Sequence, residues 1–231
     1  MSAELHVVAD GVWTIHHRDF SMGGMRLGTR SNLFRLADGT LALHAPGPLT
    51  PAQIAAIRGL GEVSVVLVPN LLHNGYCAAA ARAFPAAKVI AAPGVAAKVS
   101  GMAVHEELGE RAPGAFAGVA EMMRLEGCPK MGEYVFFLPG SRTLLGVDLA
   151  FNLHGLTGFD RFAMWMNDAN DKFCVTNLGR SMYVADRAAA GGSVVRMTDA
   201  WDVEQIVVSH GELLKSDGRR VLREAWSFAL E

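Results

Sequence analysis

Three residues able to do metal or acid–base chemistry, His73, Asp148 and His210, occupy equivalent places in the sequence. Each comes just after an apolar run typical of a buried strand, and each stands beside a turn. Such strand ends can meet at one rim, where two imidazoles and a carboxylate are enough to hold a divalent metal with open positions. The pattern therefore predicts one shared site, with all three residues as metal ligands and Asp148 and His73 in catalytic roles.

Each of the three residues also has a purely structural explanation when it is taken singly. A histidine in a turn, such as His73, is more often hydrogen-bonded structure than a ligand. An aspartate that follows a strand commonly closes the next turn, and His210 with Gly211 could form only a turn. The place that the three residues share is what favours a site.

Three neighbouring residues extend the list of candidates. Asn70, in the same loop as His73, and Arg142, between two predicted strands, are candidates for binding a substrate. The guanidinium of Arg142 could hold an anionic group, or equally pair with a carboxylate and shape its turn. Cys77 follows His73 by one helical turn and offers a thiol ligand or nucleophile, although a small buried residue in an alanine-rich helix is the simpler interpretation.

The elements that must position these residues can be followed along the chain. Apolar β-branched residues predict a strand over Val63–Val68, which Pro69 ends because proline has no N–H for a strand ladder; an alanine-rich helix follows. Two hairpins precede this strand, around Asp10-Gly11 and Asp38-Gly39, together with a helix from Pro51 to about Arg58 capped by Thr50. Later strands are predicted at 134–137, 143–147 and 205–208, and helices at 194–201 and from Ser216 or Asp217 to about Leu230.

This order of elements predicts two sheets with helices outside, an α/β fold (α+β by some schemes). The regions 95–132 and 155–200 have weak patterns, and Met102, Met122 and Met123 are predicted to fill or cover the core. With no internal repeat or low-complexity linker, residues 1–231 are expected to form a single domain.

Composition narrows the functional classes. Of the 231 residues, 51% are hydrophobic and 19% charged, which argues against disorder, and the formal net charge of −2 gives no attraction for nucleic acid or an anionic membrane. No apolar run reaches the ~18–20 residues of a membrane span, and the N-terminus lacks the features of a signal peptide. Three cysteines, an odd number without a C-x-x-C pair, argue against a disulfide framework or a zinc ribbon. We expect a cytoplasmic protein with a small-molecule ligand, and the sequence leaves homo-oligomerisation open.

Short motifs reinforce this order of elements. They are N-L-F-R-L-A-D-G-T-L-A-L in the second hairpin, V-V-L-V-P-N-L-L-H-N in the His73 loop, S-R-T-L-L-G-V-D-L before and after Asp148, and I-V-V-S-H-G around His210. Over nearly its whole length the chain resembles the metallo-β-lactamase fold superfamily, a four-layer αββα sandwich of mostly metal-dependent hydrolases. It is most similar to a branch with a degenerate metal motif whose signatures are P-N-x-x-H and S-R-T-L-x-x-x-D.

The resemblance assigns roles to two residues and removes others. Asp148 matches the metal-bridging aspartate of the superfamily, and His210 matches its last histidine ligand. Other ligand positions are lost. The H-x-H-x-D-H motif retains only His73 among Asn70, Leu71, Leu72, Asn74 and Gly75; the middle histidine is Leu138 or Pro139; and the supporting aspartate is Ala45, with His44 beside it. The resemblance thus implies at most one divalent metal (zinc, iron or manganese), which would lower the pKa of bound water and polarise a carbonyl or phosphoryl oxygen.

Three functional hypotheses follow. The first is a metal-dependent hydrolase with a depleted, at most mononuclear site and an unknown substrate. The second is a metal-free, catalytically inactive relative that keeps the fold as a binding or structural module. The third is a thiol-dependent enzyme using Cys77 and His73. Because a fold does not fix a function, the resemblance alone does not choose among them.

Overall fold

The structure, a computed structural model, describes residues 4–21 and 23–230. Residues 1–3, which belong to the segment tested for a signal peptide, lie outside the described residues, as do Met22 of the predicted 18–30 loop and Glu231. The strands are β1 His6–Ala9, β2 Val12–His17, β3 Thr29–Arg35, β4 Leu41–His44, β5 Val63–Val68, β6 Lys88–Ala91, β7 Glu106–Glu107, β8 Glu121–Arg124, β9 Tyr134–Leu138, β10 Thr143–Leu145, β11 Phe151–Leu153, β12 Lys172–Cys174 and β13 Gln205–Val207. The helices are α1 Pro51–Leu60, α2 Cys77–Ala83, α3 Val95–Lys98, α4 Gly158–Met166, α5 Asn177–Tyr183, α6 Arg187–Ala200 and α7 Gly218–Ala225, with 3₁₀ turns at Gly114–Phe116, Pro139–Ser141 and Ser227–Ala229.

Two sheets face each other across the main core. One has the strand order β1-β2-β3-β4-β5-β6-β7 and the other β13-β10-β9-β8, while β11 and β12 form a small third sheet. Leu33 and Val66 of the first sheet lie in the same buried apolar cluster as Phe136 and Leu145 of the second. A second cluster, which includes Trp201 and residues of α6 and α7, covers the other face of the smaller sheet. The predicted α/β architecture with helices outside two sheets is confirmed.

The parallel strand pairs bring the candidate residues to one edge. Strand β5 runs parallel to β4 and β6, and β10 runs parallel to β13. The loop after β5 is tied to the second sheet where β9 begins, because Leu71 N donates to Met131 O and Tyr134 N donates to Pro69 O, both at 2.9 Å. Since β9 is antiparallel to β10, its beginning lies beside the end of β10. The carboxyl ends of β5, β10 and β13 therefore meet.

The predicted helix starts agree with the structure to different degrees. Thr50 caps α1 as predicted, in a capping box in which its hydroxyl accepts from Gln53 N at 3.2 Å and the Gln53 side chain accepts from Thr50 N at 2.9 Å. Helix α6 begins at Arg187, before the predicted 194, because the Asp186 side chain caps it. Asp217 stands at the start of α7 but makes no capping hydrogen bond, and its carboxylate instead pairs with Arg220 at 3.0 Å.

The regions with weak sequence patterns contain short elements. Residues 95–132 form α3, β7, a 3₁₀ turn and β8, and Met122 is buried in the main core while Met102 and Met123 pack against the clusters. Residues 155–200 contribute α4, β12, α5 and α6. None of the helices in the described part of the chain has the length and apolar character needed to cross a membrane.

Candidate metal centre

The side chains of His73, Asp148 and His210 converge at the common edge of the two sheets. One potential ligand atom from each lies within 4.8 Å of the others. The two imidazole Nε2 atoms are 3.2 Å apart, and Asp148 Oδ1 lies 3.3 Å from His73 Nε2 and 3.5 Å from His210 Nε2. The side chain of His210 is 1% exposed, that of Asp148 10% and that of His73 15%, so the cluster is sheltered but reachable from His73.

The orientation of His210 leaves one nitrogen free for a ligand. Its Nδ1 lies 2.8 Å from the carbonyl oxygen of Gly28, an acceptor only, so Nδ1 carries the hydrogen and the neutral ring presents a lone pair on Nε2. The ring of Phe151 stacks on the imidazole at 4.7 Å between centroids. On His73, Nδ1 lies 3.4 Å from the Thr29 hydroxyl. Protein-bound metals use histidines held in this way, with the second ring nitrogen engaged.

Asp148 is held by a buried network. Glu133, fully buried, accepts hydrogen bonds from the backbone N–H groups of Val147, Asp148 and Leu149 at 2.7, 2.8 and 3.2 Å. The side-chain nitrogen of Asn70 donates to Asp148 Oδ2 at 2.8 Å and approaches Glu133 Oε2 at 3.4 Å. Oδ2 is therefore occupied, and Oδ1 is the oxygen presented to both histidines.

The charges of this cluster are coupled through its geometry. Burial alone would lower the pKa of His73, but the carboxylate of Asp148 outweighs it and raises that pKa above the ordinary 6.5. Burial alone would raise the pKa of Asp148, and the positive charge of His73 with its hydrogen bond to the carboxylate holds that pKa well below its usual range. Burial raises the pKa of Glu133 to about 7, with the charge of Asp148 adding to the effect.

The donor set fits a divalent metal. Two imidazole nitrogens and one carboxylate oxygen converge, His210 Nε2 has its lone pair on the inner side, and a negative charge is fixed beside them. Among the described residues these three are the only such group of histidine, cysteine and carboxylate side chains. His44, at the end of the neighbouring strand β4, is fully buried, and its Nε2 has no hydrogen-bond partner in the part of the chain that the structure describes.

The other predicted site residues lie in different surroundings. Asn70 touches Asp148, but it is fully buried and its oxygen accepts from the backbone of Leu72 and His73 at 3.1 and 2.8 Å. Arg142 precedes β10, whereas Asp148 follows its opposite end, and the guanidinium pairs with Asp202 at 2.8 Å and Glu204 at 3.2 Å. The structure does not bring Arg142 to the cluster.

The thiol hypothesis finds no support in the surroundings of Cys77. Cys77 is buried, its thiol donates to the carbonyl oxygen of Asn74 at 2.6 Å, and burial raises its pKa. An activated cysteine needs the opposite shift, toward the thiolate. Cys77 instead anchors the first turn of α2.

Two supporting residues escaped the sequence analysis. Glu133 directly precedes β9, and its carboxylate holds the loop that carries Asp148. Arg30, 3% exposed, donates through Nε and Nη2 to the carbonyl oxygen of Gly211 at 3.1 and 2.7 Å, next to His210. Gly211 adopts a left-handed φ of 101°, and a Cβ there would lie 2.0 Å from Asn152 O. The available signal was a charged residue within or directly beside a predicted strand, because a charged side chain is rarely buried without a partner.

A cavity of about 310 Å³ opens onto the cluster. Its polar lining includes His73, Asp148, Thr29, Asn167 and Thr176, and its apolar wall includes Phe20, Leu27, Phe151, Met164 and Leu178. The wall comes from the 18–28 loop, from the loop after β5 and from α4 and α5. The residues 155–200, unreadable in the sequence, thus supply one side of the site.

Comparisons with known proteins identify the fold. No protein-family model matches the chain, and no curated protein matches it. Solved structures do: the metallo-β-lactamase from Pontibacter korlensis (16% identity, 98% of each chain, TM-score 0.67) and the metallo-β-lactamase FIM-1 from Pseudomonas aeruginosa in its mono-zinc form (14% identity, 98% of this chain and 96% of that one, TM-score 0.67). The metallo-β-lactamase from Erythrobacter litoralis is 18% identical over 97% of this chain and 91% of its own, with a TM-score of 0.64. The chain has the metallo-β-lactamase fold.

Proposed function

We propose that this protein is a metal-dependent hydrolase that works with a single divalent metal held by His73, Asp148 and His210. The observation that carries the proposal is the convergence of three ligand atoms within 4.8 Å beside a cavity that two of the three residues line. A mono-zinc form of FIM-1 indicates that this fold accommodates one zinc ion. When bound, the metal supplies Lewis-acid polarisation of the substrate and a water molecule of lowered pKa.

The residues of the chain have separable tasks in this function. Asp148 contributes the negative charge, and Asn70 holds its Oδ2 so that Oδ1 points to the histidines. The Gly28 carbonyl fixes the tautomer of His210, which makes Nε2 the ligand atom. The apolar cavity limits the access of bulk water to the reacting group and thereby strengthens electrostatic interactions inside the site.

A second candidate, the metal-free binding module, is favoured by one specific contact. His73 Nε2 lies within hydrogen-bonding reach of both Asp148 Oδ1 (3.3 Å) and His210 Nε2 (3.2 Å), so one proton on His73 can close the cluster without a metal. In that function the cavity would bind a ligand and no hydrolysis would follow.

The test compares wild type with Asp148→Asn and Asp148→Ala. Asparagine keeps an oxygen acceptor for Asn70 and removes the charge, so a loss of metal with Asp148→Asn separates ligation from packing. Protein purified without added metal or a histidine tag is analysed for metal content, and melting is measured with and without a chelator. For the hydrolase we expect near-stoichiometric metal in wild type, none in either variant, and a chelator-sensitive stability of about 2–4 kcal/mol in wild type alone.

Asp202→Ala is the matched control, because Asp202 is an exposed carboxylate whose partner is Arg142, at the opposite end of β10. It should keep the metal content and the chelator response of wild type. Identical, chelator-insensitive melting of wild type and Asp148→Asn would end the hydrolase proposal and leave the binding module.

A further inference from the structure

The wall of the cavity has an unusual charge composition for a site that faces a carboxylate. Of the described residues that line it, none is lysine or arginine, and Asp148 is the only carboxylate. The nearest buried cation in the supporting network, Arg30, directs its guanidinium to Gly211 O and to His16 and does not line the cavity. An anionic ligand would therefore meet the Asp148 carboxylate and no lysine or arginine side chain, while the His73 imidazole is already paired with Asp148 Oδ1 at 3.3 Å.

Apolar side chains make up most of the rest of the wall, with Asn167 and Thr176 as further polar members. Leu27 and Met164 are each 4% exposed and belong to one small buried cluster, and Phe151 packs against that cluster while it stacks on His210. All three line the same cavity as His73 and Asp148. A ligand with its polar group at His73 and Asp148 would place a hydrocarbon portion among them, where burial of apolar surface gives about 25 cal/mol per Å².

The size and the mouth of the cavity limit the length of the ligand. A volume of 310 Å³ corresponds to roughly ten water-sized atoms at ~30 Å³ each. At the mouth, Leu178 of α5, Leu72 and Tyr76 line the cavity and are also exposed, by 51%, 36% and 37%. The apolar surface thus continues outward, and a chain of this length is covered along most of its extent.

We propose that the substrate class of this site is a neutral carbonyl compound, such as an ester, with about ten non-hydrogen atoms in all, most of them in an apolar portion. That this compound is a substrate rests on the proposed hydrolase function. The preference for a neutral, apolar ligand depends only on the cavity and should hold without metal. The carbonyl lies at His73 and Asp148, and the hydrocarbon lies along Leu27, Phe151 and Met164.

The test measures binding to metal-free protein in chelator, where no hydrolysis by the proposed route can occur. Methyl octanoate and octanoate are the probes, since they share one hydrocarbon chain and differ in charge. Titration calorimetry should give a dissociation constant of roughly 0.1–1 mM for the ester and at least tenfold weaker binding for the anion. Equal binding of the two probes, tighter binding of octanoate, or no binding of the ester would overturn the proposal.

A charge at the mouth locates the ligand. Leu178→Lys adds a cation at a half-exposed position of the cavity wall, and Phe159→Lys adds one on α4 at a residue that is 68% exposed and does not line the cavity. We expect Leu178→Lys to lower the ratio of the dissociation constants, octanoate over methyl octanoate, at least threefold. Phe159→Lys should leave this ratio unchanged. The same effect in both variants would place the probe outside the cavity and overturn the proposal.

The result for the ligand preference can be distinguished from the result for the proposed hydrolase function. Metal content measured on the same preparation tests the function independently. Stoichiometric metal without ester preference would refute the ligand class and leave the hydrolase, and ester preference without any metal would do the reverse.

Discussion

The Nε2 atoms of His73 and His210 lie 3.2 Å apart, too close for both nitrogens to face each other without a proton or a cation between them. Asp148 Oδ1 is within 3.5 Å of both. Because the carboxylate raises the pKa of His73 above 6.5, the metal-free cluster carries a proton on that ring at pH values where an ordinary histidine is neutral. A metal held by the proposed ligands would therefore compete with a proton for the same place.

This competition predicts a pH-dependent affinity for metal. Binding requires neutral imidazoles, so it should weaken as pH falls, beginning above pH 6.5 and reaching about tenfold per pH unit for each displaced proton. The measurement is a zinc titration at pH 7.5, 6.5 and 5.5. His73→Gln should bind far more weakly at every pH, whereas His6→Gln, a change at an exposed histidine, should follow wild type. An affinity independent of pH would place the metal elsewhere.

Without metal, the protonated His73 paired with Asp148 stabilises the folded protein, and this stabilisation is lost at alkaline pH. A raised folded-state pKa means that the stability from His73 is fully present below pH 6.5 and is lost as pH rises through the folded value. The lowered pKa of Asp148 means that its contribution is present above about pH 4 and is lost in stronger acid. In chelator, the free energy of unfolding should therefore fall above pH 6.5 in wild type and fall less in His73→Gln. Denaturant titrations at pH 6 and 8.5 measure this, and equal slopes in the two proteins would contradict it.

Glu133 should matter for both the fold and the metal. Glu133→Gln replaces one carboxylate oxygen, facing backbone N–H groups, with a donor, which should lower the free energy of unfolding by about 1–3 kcal/mol. Since the loop that it holds presents Asp148, metal affinity should fall about 10–100-fold. The control is Glu126→Gln, at an exposed carboxylate 3.9 Å from Arg124, for which we expect less than about 0.5 kcal/mol. A lower stability with unchanged metal affinity would limit Glu133 to a structural role.

Arg30 is expected to fix His210 through the backbone of the next residue. Arg30→Met keeps a long apolar stem but leaves Gly211 O without its two donors, at a cost of about 1–3 kcal/mol, and frees the turn that carries the imidazole. Melting and metal titration measure the two effects. Arg58→Met, at an exposed arginine that donates to Ala83 O, should change neither by a comparable amount. Metal affinity equal to wild type in Arg30→Met would show that the turn needs no such support.

The sequence was enough to predict which strand ends carry the site, but not what surrounds it. His73, Asp148 and His210 follow apolar runs, and apolar periodicity is local information. The contact between Arg30 and Gly211 spans 181 residues, and that between Glu133 and Asp148 depends on how β9 and β10 pair. Such contacts have no local signal.

The cavity could not be predicted for a related reason. Its wall includes α4 and α5, next to β11 and β12, which are only three residues long and lack room for a strand period. The Gly191-Gly192 pair hid the first half of helix α6, which was predicted only from residue 194, yet a Cβ at Gly191 would lie 1.9 Å from Ala229 O. The glycine that weakens the helix signal is what allows the C-terminal segment to pack there.

Three histidines whose pKa values are lowered in the folded protein predict a loss of stability in acid. Burial lowers the pKa of His16 to about 3, of His17 to about 4 and of His44 to about 3, with the charge of Arg30 adding to the first two and that of His73 to the third. These rings stay neutral in the folded protein but take up protons in the unfolded chain below pH 6.5. Stability should therefore fall as pH decreases from 6.5 toward 4, by about 1 kcal/mol per pH unit for each ring.

His44→Gln isolates one of these contributions. His44 is fully buried, and its ring contacts Phe136 edge-on and lies 3.3 Å from the side-chain nitrogen of Asn32. Whatever the substitution costs at pH 7, it removes one titrating ring, so the slope of unfolding free energy against pH between 6 and 4.5 should become shallower by about 1 kcal/mol per pH unit. His6→Gln removes a histidine that is half exposed and should leave the slope unchanged. Denaturant melts at three pH values decide the matter, and parallel curves for wild type and His44→Gln would mean that His44 is protonated in the folded protein.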